Sequence, residues 1–259
     1  MKITILGTGT SCGVPQIGCN CAVCTSTDTR DRRLRCSAIV DVDGRRILID
    51  CGPDFREQML GIDFRKLDAV LITHEHYDHV GGLDDLRPYS VFGDVNVYAE
   101  QFCVDHLIER KPYCFTPKDK RYPGVPAINL LTIQPRVPII LQDEDNSPVS
   151  IFPVRVFHGK LPIVGFRIRN FLYITDMKTI PEDEFAYLEG IDTLVVNGLR
   201  HEEHPSHQTI DEAILFSERI GAKQTYIIHM SHHIECHAIE EQKLPENVHL
   251  AYDGMSFEV

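Results

Sequence analysis

The sequence predicts an α+β fold whose strands stop, one after another, on metal-type ligands. Three observations carry that reading. Short runs with strand alternation are interleaved with stretches of helical periodicity along the 259 residues. The apolar run at 69–73 ends on His74-Glu75-His76-Tyr77-Asp78-His79, which delivers three imidazoles and the Asp78 carboxylate within a few residues. His158, Asp176 and His229 each follow the end of a further strand-like run, the place where open β/α layers carry their ligands.

With 43% apolar residues the chain can bury a sizeable core, and its length admits one large domain or two small ones. No run reaches the roughly 18 apolar residues of a membrane span, and the opening Met1-Lys2-Ile3-Thr4-Ile5-Leu6 lacks the long apolar region of a signal peptide. The expected setting is therefore cytoplasmic, with no membrane partner. A net charge of −12 disfavours nonspecific attraction to nucleic acid, although ligand carboxylates contribute to that count and bound divalent ions would offset part of it. The nine cysteines are an odd number, and three of them fall in Cys19-Asn20-Cys21-Ala22-Val23-Cys24. That spacing suits a shared metal better than a disulfide framework.

In chain order, residues 2–6 alternate as a strand and run into a glycine-containing loop at 7–15. This loop lacks the Lys-Ser/Thr ending of a phosphate-binding P-loop and no helical pattern follows it, so a tight turn lining a site is expected. The thiolates of Cys19, Cys21 and Cys24 want a soft ion, and a tetrahedral zinc needs a fourth ligand from far along the chain. Runs at 37–42 and 45–50 are joined by Asp43-Gly44, a strong hairpin signal. Asp50 closes the second run, where a carboxylate either orients a ligand or caps the next helix. Pro53 suits the first turn of that helix, continued through 56–59.

A buried strand is expected at 69–73, a helical turn at 81–88, a strand at 95–98 and a helix at 100–110. Residues 111–124 form a loop-rich insertion of mixed charge, open to a role as a lid or as a homodimer contact, and the acidic stretch 142–148 reads as an exposed turn. Strands follow at 149–157, 163–169, 171–175, 192–197 and 224–228. An amphipathic helix spans 207–218 and stops at Gly221. His201 and His204, in the polar loop before it, read as solvated residues.

With these residues in place the chain resembles the metallo-β-lactamase superfamily, on Thr73-His-x-His-x-Asp-His79 and the later His158, Asp176 and His229. More narrowly, Leu6-Gly-Thr-Gly-Thr-Ser11, Gly18-Cys-x-Cys-x-x-Cys24, Leu48-Ile-Asp-Cys-Gly-Pro-Asp-Phe-Arg56, His229-Met-Ser-His232 and Tyr252-Asp-Gly-Met255 resemble the PhnP-like phosphoribosyl cyclic phosphodiesterases. The resemblance covers nearly the whole chain and implies one domain over 1–259. Its fold would be a four-layer αβ/βα sandwich of two mixed sheets flanked by helices.

It also implies that His74, His76 and His158 hold one metal, that Asp78, His79 and His229 hold another, and that Asp176 bridges them. Cys19, Cys21, Cys24 and His232 would hold a separate structural zinc, with His233 the neighbour that could replace His232. His207 would act as general acid, and Asp78 would take part in proton transfer while ligating. Two divalent ions about 3.5–4 Å apart can share a hydroxide and stabilise charge on a phosphoryl or carbonyl oxygen, and zinc or manganese suits these ligands. The implied activity is hydrolysis of a small cyclic phosphodiester. Its rivals are a tRNase Z-like endoribonuclease, for which no basic docking module is visible, a lactonase, and a metal-binding accessory protein without turnover.

Overall fold

The computed structural model describes residues 1–142 and 147–259. Most of the acidic turn expected at 142–148 therefore lies outside the described residues. Along the chain come β1 (Lys2–Gly7), β2 (Ser37–Val42), β3 (Arg45–Ile49), β4 (Ala69–Leu71), β5 (Val95–Glu100), β6 (Ile128–Ile133), β7 (Ile139–Leu141) and β8 (Val149–His158). They are followed by β9 (Leu161–Ile168), β10 (Phe171–Ile174), β11 (Thr193–Asn197), β12 (Gln224–Ile228), β13 (Val248–Leu250) and β14 (Ser256–Glu258). The helices are α1 (Phe55–Met59), α2 (Tyr77–Val80), α3 (Gln101–Arg110), α4 (Ile210–Ile220) and α5 (His237–Glu240), with several short 3₁₀ turns between them.

The strands form two seven-stranded sheets, ordered β14-β1-β2-β3-β4-β5-β6 and β13-β12-β11-β10-β9-β8-β7. Both are mixed. In the first, β1, β2 and β3 pair antiparallel while β3 through β6 run parallel. In the second, β7 through β10 pair antiparallel and β10 through β13 run parallel.

Side-chain alternation explains the layering, because successive residues of a strand face opposite sides. On β3, Ile47 and Ile49 enter the core between the sheets while Leu48 packs outward with Phe55 of α1. On β10, Phe171 and Tyr173 point inward while Leu172 and Ile174 meet Ala213 and Phe216 of α4. Since both faces are covered, these central strands read as continuous apolar runs. The result is the four-layer sandwich of two mixed sheets flanked by helices that the resemblance implied.

The hairpin falls at Asp43-Gly44, with φ of 46° and 78°, the left-handed pair that a two-residue turn between twisted strands requires. Three expected boundaries move. The helix expected from Pro53 begins at Phe55. The ligand loop itself contains α2, which takes in Asp78 and His79. The helix expected to open on His207 is capped by Thr209, whose hydroxyl accepts from the Glu212 N–H at 3.1 Å while the Glu212 carboxylate accepts from the Thr209 N–H at 2.8 Å. His207 thus stands two residues ahead of the helix cap.

Candidate metal centre

The parallel strands β3, β4, β10 and β12, together with the long antiparallel β8, end at one edge of the sandwich, where the two sheets contribute their ligand-bearing loops. Asp50, Asp176 and His229, each one or two residues beyond a strand, have φ of 59°, 56° and 57°. Non-glycine residues pay about 1–2 kcal/mol for that left-handed conformation. It turns each side chain back across the end of its strand, toward a shared point. Close backbone contact finishes the cradle: a Cβ on Gly52 would lie 2.1 Å from the Asp78 carbonyl oxygen, and one on Gly82 would lie 2.1 Å from that of Gly52. The Cys51 N–H donates to the His79 carbonyl at 2.8 Å, and the Gly82 N–H donates to the Cys51 carbonyl at 2.9 Å.

Asp176 is the hub. Its Oδ2 is 2.8 Å from His79 Nε2 and 3.3 Å from His74 Nε2, and its Oδ1 is 2.7 Å from His229 Nε2. Asp78 Oδ2 lies 3.2 Å from His79 Nε2 and 3.7 Å from His229 Nε2. Asp78, His79, Asp176 and His229 each present a donor atom within 4.8 Å of the others. On the other side, His74 Nε2 is 3.0 Å from His76 Nδ1, and the His158 ring stands 5.2 Å from His76 and 5.8 Å from His74. All seven expected ligands therefore belong to one cluster.

The donor set fits divalent cations. His79 Nε2 and His229 Nε2 are buried without a well-aligned hydrogen bond, although each faces an Asp176 oxygen. Buried polar nitrogens need a partner, and a cation held between these imidazoles and the two carboxylates supplies it. Burial opposes the charged form of His79, but the carboxylates of Asp176, Asp78 and Asp50 outweigh it and hold the imidazole well above its ordinary range. His229 is likewise raised to about 9, by Asp176 against burial. Burial works against the Asp176 carboxylate, yet His229 and His79 keep it well below the usual carboxylate range.

Asp50 takes the orienting role: its Oδ2 is 2.7 Å from His79 Nδ1, and its carboxylate accepts from the N–H and hydroxyl of Thr73. Thr73 Oγ1 also lies 3.0 Å from His74 Nδ1. Further supports carried no sequence signal. The Ser206 carbonyl accepts from His158 Nδ1 at 2.9 Å, Arg110 donates to the Glu75 carbonyl at 3.1 Å, and Lys111 donates to the Gly81 carbonyl at 3.0 Å. Lys111 thereby ties the start of the unassigned insertion to the ligand loop.

His207 is buried beside the cluster without coordinating geometry. Its ring is 4.5 Å from that of His158 and 4.7 Å from that of His229, with Nδ1 3.9 Å from Asp176 Oδ1. Burial and the neighbouring His229 lower it to about 3. Of the two loop histidines, His201 is exposed as expected, and His204 departs from the solvated reading. His201 Nε2 is 2.7 Å from a carboxylate oxygen of the fully buried Glu240, and the half-buried His204 packs its ring 5.0 Å from His207.

A second cluster gathers the thiolates. His232 Nδ1 lies 3.3 Å from Cys19 Sγ and 3.5 Å from Cys21 Sγ, and with Cys24 these donors lie within 4.8 Å of one another. Those separations are close to the edge of a tetrahedron built on zinc bonds of about 2.0–2.3 Å. His232 is the fourth member of that group, and the His233 ring packs on it at 4.2 Å, tilted by 37°. The Cys24 N–H donates to Cys21 Sγ and lowers that thiol to about 6, whereas burial pushes Cys24 up to about 11. The cluster adjoins the metal loop because the chain leaving β12 passes from His229 directly to His232, and the Met230 N–H donates to the Thr8 carbonyl at 2.9 Å.

Fold and site together define a metal-binding hydrolase of the metallo-β-lactamase fold. A family model described as a beta-lactamase superfamily domain matches residues 45–230. The chain belongs to that superfamily and is PhnP-like within it: a solved structure described as a new diphosphatase from the PhnP family is 38% identical, with a TM-score of 0.88 over 99% of this chain and 97% of that one. An octanoyltransferase of Porphyromonas gingivalis is 45% identical over 98% of this chain, and the chain spans 51% of that relative's length. Zinc-bound PqqB from Methylobacterium extorquens shares the fold, at a TM-score of 0.77 and 20% identity, with the whole of both chains covered. Among the described residues no helix is long and apolar enough to cross a membrane.

Proposed function

We propose that this chain hydrolyses phosphodiesters, with a small cyclic phosphodiester as substrate, using two zinc or manganese ions at His74, His76, Asp78, His79, His158, Asp176 and His229. The observation that carries this reading is His207, a sixth imidazole packed against the ligand histidines yet free of the ligand set. A scaffold without turnover has no use for it; a reaction that expels an alkoxide needs a proton donor there. When bound, the ions make a water nucleophilic at neutral pH and neutralise charge on the phosphoryl oxygens.

The chain's own groups do the rest. Asp50 and Ser206 fix the rings of His79 and His158. Burial and His229 disfavour the charged form of His207, the negative charge of an entering phosphodiester acts in the opposite direction, and the ring stands where a proton donor to the leaving oxygen is needed. Asp78 borders His79 and His229, where it can pass a proton while remaining a ligand. The thiolate cluster is assigned a structural zinc. The proposed partners are a small anionic substrate and no membrane or nucleic acid, in keeping with the net charge of −12. A cytoplasmic location and a single domain over 1–259 belong to the same proposal.

The 38%-identical structure, described as a diphosphatase, favours a second, neighbouring reading, hydrolysis of a diphosphate ester by the same groups. Octanoyl transfer is the activity named for a relative about twice this chain's length, and the donor set here is that of a hydrolase. The test is metal-reconstituted protein assayed in parallel on a ribose cyclic phosphate, a linear phosphodiester, a nucleoside diphosphate ester, precursor tRNA, a lactone and an octanoyl thioester. Turnover is expected on the cyclic phosphate above all others. Turnover confined to the tRNA, the lactone or the thioester would overturn the reading.

A further inference from the structure

The imidazoles around the cluster form a ladder that leads outward. His229 and His158 lie beside the metal position, His207 stacks on His229 and meets His158 at a tilt of 48°, and His204 packs on His207 at 5.0 Å with an interplanar angle of 37°. The ladder changes character at its last rung, since His207 is buried and His204 is half-buried.

The tautomer of His204 follows from its neighbour. The Ser206 N–H donates to His204 Nδ1 at 3.4 Å, and the Ser206 hydroxyl lies 3.2 Å from the same nitrogen. A nitrogen that accepts from a backbone N–H carries no hydrogen of its own, so the proton of the neutral ring resides on Nε2. Burial and the adjacent Arg200 disfavour the charged form and preserve that neutral state. Nε2–H has no protein acceptor among the described residues. Ser206 is itself anchored, because its carbonyl accepts from Nδ1 of the ligand His158 at 2.9 Å. The donor at the mouth is therefore held in register with the metal site through a single residue. Gly159, with φ of 59°, lets the turn after His158 approach: a Cβ there would lie 3.3 Å from that of Ser206.

A leaving oxygen that meets His207 places the atoms two or three bonds further along its alcohol about one ring spacing outward, where the His204 donor waits. We propose that His204 is a substrate-binding residue whose Nε2–H donates to an oxygen on the leaving-group arm, selecting phosphoesters of polyhydroxylated, sugar-like alcohols over those of plain alkyl or aryl alcohols. The proposal deepens the phosphodiester reading and rests on it. Arg200 adds positive charge beside the loop, its guanidinium otherwise donating to the carbonyls of Glu202 and Glu203.

The test measures binding to the metal-loaded protein by calorimetry, with ribose 5-phosphate and inorganic phosphate as probes. Loss of one neutral hydrogen bond predicts that His204→Ala weakens ribose 5-phosphate about tenfold and leaves inorganic phosphate unchanged. His204→Gln, which retains an N–H donor, should recover most of the loss. Nitrogen-15 spectra of histidine-labelled protein should show the Nε2–H tautomer for His204, retained in Ser206→Ala, whose backbone N–H still faces Nδ1. Equal weakening of both probes, no weakening of either, or an Nδ1–H tautomer overturns the proposal. Absence of phosphodiester turnover by the unsubstituted protein would sink the functional reading separately, while the binding comparison still decides the role of His204.

Discussion

Asp50 and His79 form a fully buried pair, carboxylate Oδ2 to Nδ1 at 2.7 Å, that joins the end of one strand to the ligand loop of the next. A ring whose Nδ1 donates to a carboxylate offers Nε2 to a metal once that nitrogen loses its proton, and in the metal-free cluster the protonated Nε2 of His79 faces Asp176 at 2.8 Å. Burial raises Asp50, opposed by His79 and by donors from Thr73. Asp50→Asn is the informative substitution, because asparagine tolerates the φ of 59° and changes only the charge and the acceptor. Metal affinity should fall about 10- to 100-fold. Competition with a chelator of known affinity measures it, and an unchanged constant would show that Asp50 merely caps the strand.

His207→Ala should keep both active-site metals, since the imidazole touches the ligand rings without joining them. Turnover of a diester with a poor leaving group should drop about 10²–10⁴-fold. A diester of nitrophenol, whose leaving group needs no proton, should lose far less. Equal losses on both substrates would mean that His207 acts on the metal site rather than on the leaving oxygen.

Cys21→Ser should lose one tightly held zinc and lower the melting temperature, because that thiolate accepts from the Cys24 N–H and faces His232 at 3.5 Å. Structural zinc binding contributes directly to folding free energy. Cys236→Ser is the matched control: Cys236 packs beside the thiolates but falls outside the four-donor group. Metal analysis after dialysis distinguishes the two variants. An unchanged zinc count in Cys21→Ser would refute the site.

The strands readable in the sequence are those covered on both faces. β3 and β10 have every residue buried and stand out as apolar runs. The four strands that sequence patterning missed are β6, β7, β13 and β14, which are the four sheet edges. Three of them have only three residues, and the fourth, Ile128–Ile133, mixes buried with exposed positions. Such edges take their partners from long-range pairing and leave little local periodicity to read. The ligands were legible because chemistry-bearing residues followed strand ends. Ser206, Arg110 and Lys111 were not, since the Ser206 carbonyl holds a ring nitrogen of His158 and Arg110 holds the Glu75 carbonyl, partners that only the folded chain brings near, and Lys111 reaches the Gly81 carbonyl from thirty positions along the sequence.

Metal uptake should release protons near neutral pH. His229 is raised from 6.5 to about 9 in the metal-free cluster and His79 stands well above its ordinary value, so both hold protons that a coordinating imidazole must surrender. The affinity for zinc should therefore climb about ten- to a hundredfold per pH unit, one decade for each proton released, up to about pH 9. The stability of the metal-free protein moves the other way. His229 has a raised pKa, so its contribution is complete below 6.5 and is lost as pH rises through about 9. Asp176 has a depressed pKa, so its contribution is present above 3.8 and is lost as pH falls. The cluster thus favours the metal-free fold most between those limits, and above them the metals take over the same charges. Calorimetric zinc titrations in buffers of different ionisation enthalpy count the protons directly, and a count of zero near neutral pH would mean that the carboxylates do not hold these imidazoles in their charged form.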